Sequence, residues 1–168
     1  MQLVEMGHPK IEGVSYRQRE CCYGICLKDG KVLVVYSEKD KNYSVPGGGM
    51  ESGESLYAAL EREMREEAGY ELISSKHFLD IHTCGKNTVG VYIEKLAHMF
   101  LIEVDEKTSK RPIEDWHKPM FVEKEKAIEL IDNDWQKRVL KEYLWFWAPI
   151  WRIIRLDGRK KVWIKVKI

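Results

Sequence analysis

Three glutamates lie at spacings that bring their side chains to one edge of a short helix. The segment REMREEAG runs from Arg62 to Gly69 and contains Glu63, Glu66 and Glu67, and residues three or four apart are neighbours on a helix surface. Such like charges cost roughly a few tenths of a kcal/mol per pair, and anions are also unfavourable in the last turn of a helix. A hard divalent cation would reverse both effects, because Mg²⁺ and Mn²⁺ prefer oxygen ligands. Since Mg²⁺ keeps part of its coordination shell for water and phosphates, the pattern predicts a polyphosphate substrate.

A longer spacing separates this segment from an ordinary acidic helix end. Gly48 is followed by five residues, then Glu54, then seven residues, then Arg62. A lone Glu-Glu-x-Gly is usually a solvated face, but agreement at seven fixed positions has a chance on the order of 10⁻⁸ per window at average amino-acid usage. The full spacing therefore favours a metal site over a solvated helix end.

Residues 48–70 resemble the Nudix box of the Nudix (MutT-like) hydrolases, Gx5Ex7REUxEExGU, in which U is aliphatic. The resemblance covers 23 of the 168 residues, and Tyr70 departs from it where the family has an aliphatic side chain. We expect Tyr70 to bury its ring without loss of activity. The resemblance implies an α/β Nudix fold, which is an α/β/α sandwich with a mixed central sheet. It also implies metal-dependent hydrolysis of a nucleoside diphosphate linked to another group, by attack of water on phosphorus.

The resemblance also implies roles for individual residues. Glu63, Glu66 and Glu67 would be ligands of Mg²⁺ or Mn²⁺, and the carbonyl of Gly48 would add a backbone ligand. Arg62 would orient a neighbouring glutamate through a charge-assisted hydrogen bond. One of the glutamates, or a carboxylate outside the box, would orient or deprotonate the attacking water. The metal ions would neutralise developing charge and lower the pKa of that water.

Two groups of carboxylates around the box have less definite roles. For Glu54, the resemblance to the Nudix box implies a mainly structural role. Many relatives use a further acidic residue in a loop beyond the central sheet, and residues 105–118 form that loop here, with Glu114 and Asp115 just before a short predicted strand. Either is a candidate additional ligand or base, and a solvated loop acid is the alternative interpretation.

A helix over residues 55–68 must position the glutamates. Ser55 is a typical N-cap and Gly69 a typical residue just past the helix end. The helix also carries an apolar stripe for the core, spaced four residues apart, which comprises Leu56, Leu60, Met64 and Ala68.

The rest of the chain mixes strands and helices, which indicates α+β or layered α/β architecture. Asp29-Gly30 between two apolar runs predicts a hairpin of strands 21–28 and 31–37. Asp157-Gly158 predicts a second hairpin near the end of the chain. The remaining predictions are an extended piece at 43–46, strands near 71–80, 88–94, 96–104 and 119–122, with 88–94 and 96–104 paired around Lys95, and helices at 125–131 and 135–145.

Length, charge and cysteine content restrict the class of protein. A chain of 168 residues predicts one domain over 1–168, and a net charge of +1 does not indicate a nucleic-acid partner. The first 20 residues lack the apolar region of a secretory signal, and no apolar run reaches the length of a membrane span. Free cysteines at 21, 22, 26 and 84 favour a reducing, cytoplasmic location.

Weaker signals each have a structural alternative. Cys21, Cys22 and Cys26 lack a partner pair at zinc-site spacing, so buried thiols are favoured over a zinc site. His82, His98 and His117 are scattered. We interpret them as structural, with phosphate contact from the sheet as the alternative for the first two.

The tail over residues 143–168 is aromatic and then basic. A helix that covers the core or a homodimer contact is favoured over interfacial membrane binding for the aromatic part, and base stacking is a third interpretation. Solvated strand charges are favoured over phosphate or RNA contact for the basic part.

Two functional classes compete. The first is a pyrophosphohydrolase acting on a small-molecule nucleotide, either a nucleoside triphosphate or a linked diphosphate, the latter extending to a 5′-triphosphorylated RNA end. The second is a non-catalytic module that senses a nucleotide. The intact Arg62, Glu63, Glu66 and Glu67 favour the enzyme.

Overall fold

The computed structural model describes residues 3–87, 89–143, 151–156 and 160–165. The helices are α1 (Leu56–Glu63), α2 (Lys124–Leu130) and α3 (Asp134–Tyr143), with a π-helical segment at Met64–Ala68 and a 3₁₀ turn at Glu106–Thr108. The strands are β1 (Leu3–Glu5), β2 (Arg17–Lys28), β3 (Lys31–Ser37), β4 (Asn42–Ser44), β5 (Gly47–Gly49), β6 (Glu71–Lys86), β7 (Tyr92–Asp105), β8 (His117–Glu123), β9 (Trp151–Leu156) and β10 (Lys160–Lys165).

Eight strands form one sheet in the order β1-β6-β7-β2-β3-β4, with β5 paired to β2 and β8 paired to β3. The pairs β1–β6 and β2–β7 are parallel, whereas β6–β7 and the other pairs are antiparallel. The sheet is therefore mixed, as predicted.

Side-chain alternation along β2 supplies a separate core to each face of the sheet. The helix that carries the three glutamates, from Leu56 to Ala68, is called the box helix below. Cys22 and Cys26 pack in the cluster that contains Leu60 and Met64 of this helix. Cys21 lies on the opposite face, in the cluster that contains Trp135 and Leu140 of α3. Helices thus cover both faces, which confirms the predicted sandwich. The cysteines at 21, 22, 26 and 84 are buried and free, in agreement with the predicted thiols.

The predicted box helix forms, with one correction. Ser55 is its N-cap, and its hydroxyl accepts a hydrogen bond from the Ala58 amide, while Gly69 adopts a left-handed φ of 71°. The helix predicted over 55–68 is present, and the one correction is that it widens into a π-helix from Met64 to Ala68. Met64 and Ala68 remain almost fully buried.

The predicted hairpin centred on Lys95 is also wrong. A single strand, β7, runs through Lys95 and pairs along its length with β6. Lys95 is partly buried, with its ammonium above the rings of Tyr23 and Trp135, so packing holds this lysine inside a strand. The chain turns earlier instead, where the Gly90 amide bonds the Asn87 carbonyl and Gly90 takes a positive φ.

The other elements agree closely with expectation. The hairpin of β2 and β3 turns at Asp29-Gly30, and the two late helices begin within a residue of the predicted starts. β9 and β10 pair antiparallel, as expected for the predicted second hairpin. Its turn at 157–158 and the aromatic segment over 144–150 lie outside the described residues. Among the described residues, no helix is both long and apolar enough to cross a lipid bilayer.

Candidate active site

Arg62 is the centre of the charged network on the box helix. Its Nη1 donates to Glu63 Oε1 at 2.8 Å and to Glu66 Oε2 at 2.9 Å. Nε and Nη2 donate to the two carboxylate oxygens of Glu54, and Nη2 also reaches the Gly49 carbonyl. The pKa of Arg62 is held above its usual range, chiefly by the bond to Glu54. One guanidinium therefore holds three carboxylates and the glycine turn (Gly47–Gly49) in a fixed arrangement.

The π-helical segment docks the loop that follows β7. The Glu66 carbonyl accepts from the Glu114 amide at 2.9 Å, and the Arg65 carbonyl accepts from the Ile113 amide at 3.3 Å. The Lys110 amide bonds the Gly69 carbonyl at 2.8 Å. These are carbonyls that the end of a helix leaves without intrahelical partners. Backbone bonds alone therefore bring Glu114 to the box helix.

Glu67 is not among the described partners of Arg62, and it lines a cavity together with Gly47 and Gly48. Its Oε2 accepts a hydrogen bond from the Gly47 amide at 2.9 Å, and 15% of its side chain is exposed. Burial raises the pKa of Glu67 to about 8, and the charges of Glu63 and Glu114 act in the same direction against the Gly47 bond. A carboxylate this costly to ionise is suited to a bound cation.

His117 and Glu114 complete a cluster with Glu67. His117 is 7% exposed, and its Nε2 lies 3.8 Å from Glu67 Oε1. Its Nδ1 lies 3.0 Å from Glu114 Oε2 without hydrogen-bond geometry, so this buried nitrogen has no hydrogen-bond partner among the residues that the structure describes. Asp115 does not join the cluster, because its exposed side chain faces Arg111 at 3.7 Å. His117 carried no spacing signal in the sequence, whereas Glu114 was identified beside the predicted strand.

Gly48 makes close contact with Glu63. A Cβ added to Gly48 would lie 2.7 Å from Glu63 Oε1, and the Gly48 residue is held in place by pairing with Cys22. Glu63 itself is 8% exposed, and burial raises its pKa despite the bond to Arg62. Only glycine therefore allows the turn to approach this carboxylate.

A cavity of about 510 Å³ opens beside Glu67 and His117, and its wall includes two cationic side chains. Arg19 and Lys95 are register partners on the parallel strands β2 and β7, so they lie side by side. The Lys95 ammonium lies 3.3 Å from the Tyr23 hydroxyl, and burial lowers its pKa. In the described part of the chain, neither cation forms an ion pair with a carboxylate. A second cavity of about 510 Å³ is also lined by Arg19 and Lys95.

The donors around Glu67 fit a divalent cation. Glu67, Glu114 and His117 offer ligand atoms within 4.8 Å of one another. The unpaired Nδ1 of His117 and the buried Glu63 and Glu67 are groups that a cation would satisfy. Carboxylate-rich donor sets suit Mg²⁺ and Mn²⁺.

The family model of the NUDIX domain matches residues 16–143. The chain is similar to Nudix hydrolase 13, mitochondrial, from Arabidopsis thaliana, with 27% identity over 120 residues that cover 68% of this chain and 59% of the relative. It is 37% identical over 62 residues to nucleoside triphosphatase NudI from Escherichia coli, covering 34% of this chain and 44% of the relative. The chain thus spans less than two thirds of these curated relatives.

Solved structures share the fold. The MutT protein from Bacillus halodurans superimposes with a TM-score of 0.62 at 22% identity, covering 75% of this chain and 82% of that protein. The MutT NUDIX hydrolase from Burkholderia pseudomallei superimposes with a TM-score of 0.59 at 18% identity, covering 76% of this chain and 98% of that protein. At these identities the likeness shows the fold alone, and it confirms the predicted α/β fold.

Proposed function

The chain belongs to the NUDIX domain family, and from that membership we propose that it is a metal-dependent pyrophosphohydrolase. Its substrate would be a small nucleotide in which a nucleoside diphosphate is linked to another group. The observation that carries the proposal is the cluster of Glu67, Glu114 and His117, whose ligand atoms lie within 4.8 Å of one another beside the glycine turn that Arg62 holds. Buried carboxylates with raised pKa values are typical of functional sites.

We assign Glu63, Glu66, Glu67 and the Gly48 carbonyl as the groups that would hold Mg²⁺ or Mn²⁺. When bound, the metal would neutralise charge on the diphosphate and lower the pKa of the attacking water. Arg62 holds Glu63 and Glu66 in one orientation, and the Gly47 amide holds Glu67. The chain thereby fixes its carboxylates before any ligand arrives, which lowers the cost of reorganisation.

Glu114 is the carboxylate that we propose as acceptor of the proton from the attacking water. Unlike Glu63 and Glu66, it has no arginine contact among the described ion pairs, and its partner is His117 at 3.0 Å. About a third of its side chain is exposed. The Glu114→Gln variant should therefore lose kcat, and a parallel loss of Mn²⁺ affinity would make Glu114 a metal ligand instead.

Arg19 and Lys95 support an anionic substrate in the adjoining cavity. Their positive charges lack carboxylate partners in the part of the chain that the structure describes, and a bound phosphate group would supply the missing counter-charge. The cavity is also lined by Tyr43, whose partly exposed ring offers a surface for a base or sugar. A small nucleotide diphosphate fits this combination, and we propose it in preference to an RNA 5′ end.

We also propose that residues 1–168 act as one domain in a cytoplasmic setting. The four buried free thiols support a reducing compartment. Fractionation of cells that express a tagged chain tests the location.

The decisive test is turnover of a nucleotide panel by purified protein with Mg²⁺ or Mn²⁺. The panel pairs nucleoside triphosphates with nucleoside diphosphate conjugates, and the assay separates release of phosphate from release of pyrophosphate. We expect hydrolysis of at least one diphosphate linkage and its loss in Glu67→Gln. Glu61→Gln is the matched control, because Glu61 lies on the same helix but contacts Arg65. Nucleotide binding without turnover across the panel would favour the sensing module instead.

A further inference from the structure

Two histidines and an aspartate converge on β6 and β7, outside the site described above. His77 Nε2 and His98 Nδ1 each lie 2.7 Å from the same oxygen, Oδ1 of Asp80. The three ligand atoms lie within 4.8 Å of one another. The His77 ring stacks on Phe100 at 4.7 Å, which fixes its orientation. Two imidazoles and one carboxylate therefore share a single focus.

A second carboxylate, that of Glu20, influences which ring nitrogen of His98 carries the proton and which has the free lone pair toward Asp80. Glu20 Oε1 lies 2.8 Å from His98 Nε2. A neutral His98 that donates Nε2–H to Glu20 has no proton on Nδ1. Nδ1 and the Asp80 carboxylate would then face each other as two acceptors, and a cation between them removes the conflict. An outer carboxylate that receives the second N–H of a ligating histidine is the usual arrangement around protein-bound metals.

Among the described residues, no lysine or arginine neutralises the carboxylate of this cluster, which favours binding of a cation. In the described ranges, the ion-pair partners of Asp80 are His77 and His98, with no lysine or arginine among them. The side chains of Asp80 and His98 are 19% and 9% exposed, so the carboxylate is largely removed from water. Asp80 and Glu20 place two carboxylates against the ring of His98, and a divalent ion would balance their charge.

We propose that His77, Asp80 and His98 form a Zn²⁺ site, with Glu20 as the outer hydrogen-bond acceptor and water in the remaining position. Two imidazole nitrogens and one carboxylate oxygen are a donor set typical of zinc and unsuited to Mg²⁺. The ion would join β6 and β7 directly and β2 through Glu20. The site is independent of the proposed hydrolase function.

Its position separates it from the box glutamates. His98 and Gly48 both pair with Cys22, from opposite sides of β2. They are thus two strand spacings apart, or about 9–10 Å. Among the described hydrogen bonds and ion pairs, none joins His77, Asp80 or His98 to the box glutamates, so the zinc site would stabilise the sheet as a separate site.

Calorimetric titration of the full chain with Zn²⁺, in the presence of saturating Mg²⁺, tests the proposal. Mg²⁺ occupies the carboxylate site and competes poorly for imidazole. We expect one Zn²⁺ per chain and a rise in melting temperature, because a ligand of the folded state stabilises it. His77→Phe, which keeps the stack on Phe100, and Asp80→Asn should each weaken binding at least tenfold.

Two further variants sharpen the result. Glu20→Gln should weaken Zn²⁺ binding by about 10-fold to 100-fold, as loss of an outer partner does. His8→Gln, which removes an exposed imidazole outside the cluster, should leave binding unchanged. Absence of Zn²⁺ binding by the parent, or equal affinity in the parent, His77→Phe and Asp80→Asn, would overturn the proposal and leave a hydrogen-bonded network only. Since His77→Phe keeps the ring packing, a misfolded Asp80→Asn would not prevent the decision.

Discussion

The acidic edge of the box helix and the cationic wall of the adjoining cavity are built in opposite ways. The acidic edge consists of Glu63, Glu66 and Glu67. There the Arg62 guanidinium bonds Glu63 and Glu66, and the Gly47 amide bonds Glu67. On the cationic wall, Arg19 and Lys95 lie side by side without a described carboxylate partner. Each region carries an excess of one charge that the other does not neutralise. A ligand that fits both must present a cation to the edge and anions to the wall, which describes a metal–nucleotide complex.

The strongest test of this comparison removes charge from the acidic edge at Glu67. Glu67→Gln should lower kcat on the order of 10³-fold or more, because it removes a metal charge and no core packing. Steady-state kinetics at saturating Mg²⁺ measures the loss, and circular dichroism checks the fold. Activity equal to that of Glu61→Gln would remove Glu67 from the metal site.

A second change leaves the edge charge intact and disturbs its geometry. Arg62→Lys keeps the positive charge but cannot make the four separate contacts of the guanidinium. We expect kcat to fall on the order of 10²-fold, as misplacement of catalytic groups does, with a lower melting temperature. Lys137→Arg on α3 serves as the reciprocal control. Full activity would mean that charge alone, without orientation, suffices at the edge.

On the cationic wall, Lys95→Met should affect substrate binding and spare the chemical step. Charged hydrogen bonds contribute about 1.5–3 kcal/mol, so KM should rise about tenfold or more with kcat nearly constant. The melting temperature should hold or rise, because no described carboxylate offsets the cost of removing this ammonium from water. Lys107→Met, at an exposed lysine outside the cavity, is the control. A fall in kcat at unchanged KM would place Lys95 with the acidic edge.

The smallest expected effect is the pH dependence of the metal-free protein. The pKa of Glu67 is raised from 4.5 to about 8, so the folded state retains a proton that the unfolded state releases. Its contribution to stability is therefore complete below pH 4.5 and is lost as pH rises through about 8. Melting curves of the parent and Glu67→Gln should converge at low pH and separate at high pH, because the amide of the variant does not titrate.

Saturating Mg²⁺ provides the check on that pH effect. A bound cation favours the ionised carboxylate, so metal affinity should increase with pH up to about 8 as a proton is released. A difference between the two proteins that stays constant from about pH 5 to pH 9 would show that Glu67 does not titrate in this window.

The sequence predicted the acidic edge because its parts lie within residues 48–70 and their spacing matches a helix. The cationic wall and His117 come from separate strands, and their proximity depends on the register of β2 with β7 and of β3 with β8. Lys95 was expected between two paired strands, whereas it lies inside β7 with its ammonium above the rings of Tyr23 and Trp135. The π-helical segment was missed because the apolar stripe fits either kind of helical turn.

The docking of the loop on the end of the box helix has a consequence for how freely this protein can vary. The bonds from Lys110, Ile113 and Glu114 to the helix all use backbone amides, and every residue except proline supplies that donor. The side chains of residues 110–113 can therefore be exchanged widely, with proline excluded at 110 and 113, while Glu114 keeps its position. Inserting or deleting a residue there would shift the carboxylate instead. In this loop, the number of residues is under tighter constraint than their identity.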